Sequence, residues 1–222
     1  MIKKSYIESI FLISLGAATS LSLPPYNYLI INFFTFSIFF IFLFKKSKII
    51  QTKKNFFLYG WLFGFGYFLS SLYWISIALT FDQNFKFLIP LTIILIPALL
   101  GVFYGCFTLC FIISKPKKII ASFFTFSLFF GIFEFIRGSI LTGFPWNLIA
   151  YSFSNHLEIL SITSIIGTYS FNLFCISLFA STSFLILRDN KKEIIVCILF
   201  LIITLSFYFF GSQRLEKFNN LE

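Results

Sequence analysis

The chain has 222 residues, 59% of them hydrophobic and 11% charged, with a mean hydropathy of +0.94 and a formal net charge of +9. A soluble domain carries about 25% charged residues, so this composition excludes a soluble globular protein and points to an all-α integral membrane protein whose surface mostly faces lipid. The positive balance is no nucleic-acid signal, because the lysines and arginines are parcelled out between apolar runs and form no single basic face.

About 20 consecutive apolar residues span a bilayer. Seven runs of that kind follow one another, at roughly 6–23, 27–44, 56–80, 87–113, 119–138, 159–187 and 193–211. The first follows Lys3 and Lys4 and reaches Ala17-Ala18-Thr19-Ser20, which imitates a signal peptide. The second run follows too closely for a mature N-terminus, so Pro24-Pro25 reads as a tight break between two spans. Lys45, Lys46, Lys48, Lys53 and Lys54 separate the second and third runs. The third carries Gly60 and Gly64 at a small-xxx-small spacing that suits close helix contact, and Tyr73 and Trp74 near its far end. Pro90 and Pro97 in the fourth run predict a kink or a broken first turn. Lys115, Lys117 and Lys118 precede the fifth run, and Arg188, Lys191 and Lys192 precede the seventh. The basic residues therefore crowd every second connection, the positive-inside pattern. That pattern predicts a cytoplasmic N-terminus and, after seven spans, a C-terminus on the other side. Residues 1–211 read as one polytopic membrane domain and 212–222 as a short tail.

The fifth run ends in Glu134-Phe-Ile-Arg137, followed by Thr142-Gly143-Phe144-Pro145-Trp146. Ionisable groups near a bilayer centre cost about 2.5–3.5 kcal/mol each on insertion scales. The i, i+3 spacing puts both side chains on one helix face, where they can pair. Two readings stay open at this stage. The pair is either an interfacial anchor, or a cation held by its carboxylate to grip a phosphate or orient a loop. Gly143 and Pro145 stop the helix, and the segment 139–158 is too polar and broken to span. It is predicted to lie on the non-cytoplasmic surface, as a surface or re-entrant loop partly buried in protein. Tyr73, Trp74 and Trp146 suit a headgroup-level aromatic belt. Asn172, inside the sixth run, needs a hydrogen-bond partner, most often on another helix. Cys106, Cys110, Cys175 and Cys197 all lie in apolar runs and His156 is the single histidine, so no metal, cofactor or catalytic triad is implied.

The string Glu134-x-x-Arg137-Gly-x-x-x-Thr142-Gly143-Phe144-Pro145-Trp146, followed by Tyr151-Ser152, resembles the membrane domain of apolipoprotein N-acyltransferases, the bacterial enzymes of the last step of lipoprotein maturation. Pro24-Pro25-Tyr26-Asn27, Gly64-x-Gly66-Tyr67 with Tyr73-Trp74, and Gly167-x-x-x-x-Asn172 agree with the same family in order and spacing. The resemblance implies a protein of the bacterial inner membrane that takes a phospholipid acyl donor and a lipoprotein substrate. Arg137, Glu134, Thr142, Phe144, Pro145, Trp146, Trp74 and Tyr73 would shape the mouth of that site. In the family a periplasmic nitrilase-like domain with a Glu-Lys-Cys triad follows the seventh span. Residues 212–222 fall where that domain would begin. The resemblance therefore assigns no catalytic residue to this chain and implies a membrane half working with a catalytic domain, on a separate chain if the enzyme is split. The alternative expectation is a degenerate, non-enzymatic relative that binds lipid or a partner. Small-molecule transport fits less well, because Glu134 and Arg137 are the only ionisable groups well within the runs.

Overall fold

A computed structural model describes residues 2–49, 52–115, 117–140 and 143–219. It is an all-helical bundle of α1 (Ile2–Ser20), α2 (Ile30–Ile49), α3 (Lys53–Leu72), α4 (Ile89–Ile113), α5 (Ile119–Ser139), α6 (Leu157–Leu160), α7 (Thr163–Ile166), α8 (Thr168–Ser181) and α9 (Lys191–Asn219). Six helical stretches are long and apolar enough to cross a membrane, and the described apolar part of α1, Tyr6–Ser20, is a shorter seventh. Two boundaries differ from the hydrophobic pattern. The third span gains a 3-10 extension, Tyr73–Thr80, beyond α3. The run 159–187 is not one helix: Gly167 adopts φ +79°, outside the right-handed helical region, and divides α7 from α8. The span is then Thr168–Leu185, and α6 packs aside against α9. Pro90 falls in the first turn of α4, where a proline is tolerated, and the helix continues through Pro97.

Phenylalanine builds the interior. Phe39 stacks on Phe63 with centroids 4.0 Å apart, and Phe36, Phe107, Phe126 and Phe130 close around them. Lipid tails are as apolar as these side chains, so contact and shape, more than the hydrophobic effect, hold the helices together. The glycines of α3 set the tightest contact. A Cβ on Gly60 would meet the Tyr104 carbonyl oxygen and Thr108 Oγ1, and one on Gly64 would meet the Tyr104 Cβ at 2.8 Å and its ring at 2.9 Å. Thr108 Oγ1 in turn donates to the Phe56 carbonyl, 2.6 Å away on α3. α1, α3 and α5 end together at one face, where residues 143–158 fold back over them, burying Leu148, Ile149, Ala150 and Phe153. The opposite face collects the lysine-bearing turns between α2 and α3 and between α4 and α5.

Gly60→Ala should destabilise the protein by about 1–3 kcal/mol, because the group it meets is backbone and cannot rotate away. Gly131→Ala, whose Cβ would have side-chain atoms of Leu173 and no backbone as its nearest neighbours, should cost less. Denaturation of both variants in mixed micelles measures the difference.

Candidate functional site

The site is built on the last turn of α5. Glu134 and Arg137 are both buried, at 0% and 1% exposure. Arg137 Nε donates to Glu134 Oε1 at 3.1 Å and Nη2 donates to Oε2 at 2.8 Å, a bidentate pair. Nη1 donates to two carbonyls of the following loop, Phe144 at 2.6 Å and Trp146 at 2.9 Å. The guanidinium also lies over the Phe68 ring at 5.1 Å. All three nitrogens are thus engaged inside the protein. Nη1, which the i, i+3 spacing leaves free to reach a further acceptor, holds the loop backbone here.

The loop needs unusual backbone to reach this position. Gly143 has φ +75°, and a Cβ on it would run into the Gly138 carbonyl oxygen. Asn147 also has positive φ, 58°. Its carbonyl accepts from Tyr67 Oη at 2.8 Å, and its side-chain amide donates to the Ser71 carbonyl at 3.3 Å. Further along, Asn172 Oδ1 accepts from the Ala150 amide at 2.9 Å. The partner of Asn172 is therefore the returning loop and not a neighbouring span. Trp146 stacks on Trp74 with centroids 5.4 Å apart and planes 15° apart, and Phe144 tilts against Trp146 at 5.6 Å.

Between this loop, the end of α3 and the Pro24-Pro25-Tyr26 turn lies a cavity of about 410 Å³. Tyr73, Trp74, Asn147 and Tyr151 line it together with Ser20, Ser70 and Ser71. Partial burial raises the Tyr151 phenol above its ordinary value, with Tyr169 adding to the rise and Arg137 opposing it, so the group lines the cavity as a neutral hydroxyl. Of the residues singled out from sequence, Tyr73 and Trp74 line the cavity and Trp146 stacks at its edge. Pro145 is exposed beside it, and Glu134, Arg137 and the Phe144 carbonyl form the brace behind. Thr142 lies outside the described residues. Asn147, Ser71 and Asn27, which accepts from Ser154 Oγ at 3.3 Å, were not legible as site residues. An asparagine is a common turn residue, and the partners of Asn27 and Asn147 lie far away in the chain. Among the described residues no three His, Cys, Asp or Glu side chains come together as metal ligands.

Residues 15–182 match the family model described as Apolipoprotein N-acyltransferase N-terminal domain. The chain is 31% identical over 200 residues to the apolipoprotein N-acyltransferase of Allorhizobium ampelinum, covering 86% of this chain and 37% of that protein. It is 35% identical over 175 residues to that of Rhodopseudomonas palustris, covering 77% and 32%. It is 32% identical over 214 residues to that of Rickettsia typhi, covering 95% and 41%. The chain spans about a third to two-fifths of the length of these relatives.

Removing one partner of a buried pair leaves an uncompensated charge and costs about 3–5 kcal/mol. Arg137→Gln should therefore destabilise more than the double change Glu134→Gln with Arg137→Gln. A double-mutant cycle on unfolding in micelles measures this, and additivity within about 0.3–0.5 kcal/mol would mean that the two side chains do not interact.

Proposed function

The chain belongs to the apolipoprotein N-acyltransferase N-terminal domain family, and from that premise we propose that it is the membrane part of an enzyme that transfers an acyl chain from a phospholipid to the N-terminal amine of diacylglyceryl-cysteine lipoproteins. The membrane part binds and orders the two lipid substrates. The transfer itself belongs to a nitrilase-like domain, carried on the same polypeptide or on a partner chain. Cys106, Cys110, Cys175 and Cys197 are free cysteines inside the apolar helices α4, α8 and α9.

The observation that carries this reading is the braced loop. Arg137 fixes the carbonyls of Phe144 and Trp146, and the fixed loop completes a cavity at the end of the bundle. A cavity with aromatic walls and several hydroxyls suits the glyceryl and headgroup region of a lipid better than its tails, which can lie along the apolar helices outside. The alternating basic loops support a bacterial inner-membrane protein with residues 1–211 as its membrane domain, the cavity on the periplasmic side and the N-terminus in the cytoplasm. Glu134 and Arg137 then act as positioning residues, while Tyr73, Trp74 and Trp146 face the lipid.

Photoactivatable phospholipid and diacylated lipopeptide, reconstituted with the chain in nanodiscs, should label Tyr73, Trp74 and Tyr151, and Trp74→Ala should reduce that labelling several-fold. Labelling spread evenly along α4 and α9 would count against a built site. For the orientation, alkaline phosphatase fused after Glu222 should be active, whereas a fusion in the turn around Lys54 should be silent; the reverse pattern would invert the proposed topology.

A further inference from the structure

A second, larger cavity lies at the other end of the bundle. It measures about 670 Å³ and is lined by Lys48, Lys53, Lys115 and Lys117, with Ser47 at its wall and Ile112 and Ile113 beneath. Two separate connections contribute: Lys48 and Lys53 flank the turn between α2 and α3, and Lys115 and Lys117 that between α4 and α5. Among the described residues the ion pairs are Lys46 with Glu8, and Arg137 with Glu134. The four lysines that line this cavity therefore have no carboxylate paired with them among the described residues. Lys48 is steadied over the Phe44 ring at 4.4 Å. Lys115 projects from a backbone with φ +47° at the end of α4. α3 begins at Lys53 without a side-chain cap and without an acidic residue in its first turn, so its first amides also present donors at this end.

Like charges lining one concavity repel, and an anion in it removes that cost. The floor adds a second requirement. Ile112 and the exposed Ile113 make one side of the cavity aliphatic. A wholly polar anion leaves that side unsatisfied. We propose that this cavity is a binding site for the phosphate-bearing headgroup of an anionic phospholipid, whose acyl chains descend along Ile113. It is separate from the cavity under the braced loop, since the two lie at opposite ends of the same helices. Basic pockets between spans on the cytoplasmic side take anionic headgroups by the same electrostatics, and the proposed topology puts this end in contact with that leaflet.

The test uses the 222-residue chain in detergent, where the direction of insertion plays no part. Native mass spectrometry follows titration with phosphatidylglycerol, with phosphatidylcholine of the same chains, and with inorganic phosphate. Phosphatidylglycerol should be retained in preference to the other two. Changing Lys48, Lys53, Lys115 and Lys117 to Gln should weaken it about tenfold or more. Changing Lys45, Lys54, Lys118 and Lys191 to Gln removes the same charge outside the cavity and should leave it nearly unchanged. If the fourfold variant unfolds, the pair Lys115→Gln and Lys117→Gln should still show a partial loss in the folded protein. Equal losses in the two charge-matched variants, or equal retention of phosphatidylcholine, would overturn the site. Saturation by inorganic phosphate at the lipid's own concentrations would overturn the lipid as its ligand.

Discussion

A buried ion pair governs how this protein is put together. Two charges withdrawn from water lose several kcal/mol of solvation each, and their attraction offsets this only if the remaining donors and acceptors are also used. Glu134 and Arg137 meet that condition through two mutual hydrogen bonds and two loop carbonyls. The second half of the condition is the consequential one. A guanidinium whose Nη1 faced only hydrocarbon would be costly, so the loop backbone has to arrive there. The requirement runs both ways, since the Phe144 and Trp146 carbonyls also need donors once the loop turns inward.

The rest of the bundle can be traced from that point. Arg137 reaches the loop only if α5 ends where it does, and α5 is located by Phe126 and Phe130 against Phe39, Phe36 and Phe107. Tyr67 reaches the Asn147 carbonyl because α3 sits close to its neighbours, with Gly60 and Gly64 admitting Tyr104 of α4. Tyr104 is itself buried beside the charged pair and stacks on Tyr67 at 6.1 Å. Close packing in the middle of the membrane thus sets the geometry of a loop at its edge.

How much of this could be read from residues alone depends on the range of each interaction. The Glu134–Arg137 pair was legible because both partners lie one helical turn apart, and the break after them because Gly143 and Pro145 are local signals. Six of the seven expected spans were legible from run lengths, and the first run gives a shorter apolar helix among the described residues. The division at Gly167 was not, since an apolar run continues through it and a single glycine is often tolerated in a helix. The Tyr67–Asn147 and Asn172–Ala150 contacts join residues far apart in the chain, and no spacing rule encodes them. The family resemblance pointed to Trp74 and Trp146, but their stacking needed the chain after α3 and the loop to be placed first.

The two ends of the helices use positive charge in opposite ways. At one end a single arginine is sunk into the protein, neutralised and fully bonded, so its charge stiffens a loop and attracts nothing from outside. At the other end lysines on flexible stems stay at the surface and, apart from Lys46, without carboxylates among the described residues. The choice of residue suits each task. A planar guanidinium holds several acceptors at fixed angles, whereas an ammonium on a four-carbon chain is a mobile, hydrated point charge. The bundle thus has a rigid end, where a guanidinium pins the backbone of a loop, and a compliant end, where ammonium groups keep their hydration. Exchanging arginine and lysine between the two ends would preserve net charge and hydropathy and still remove the distinction.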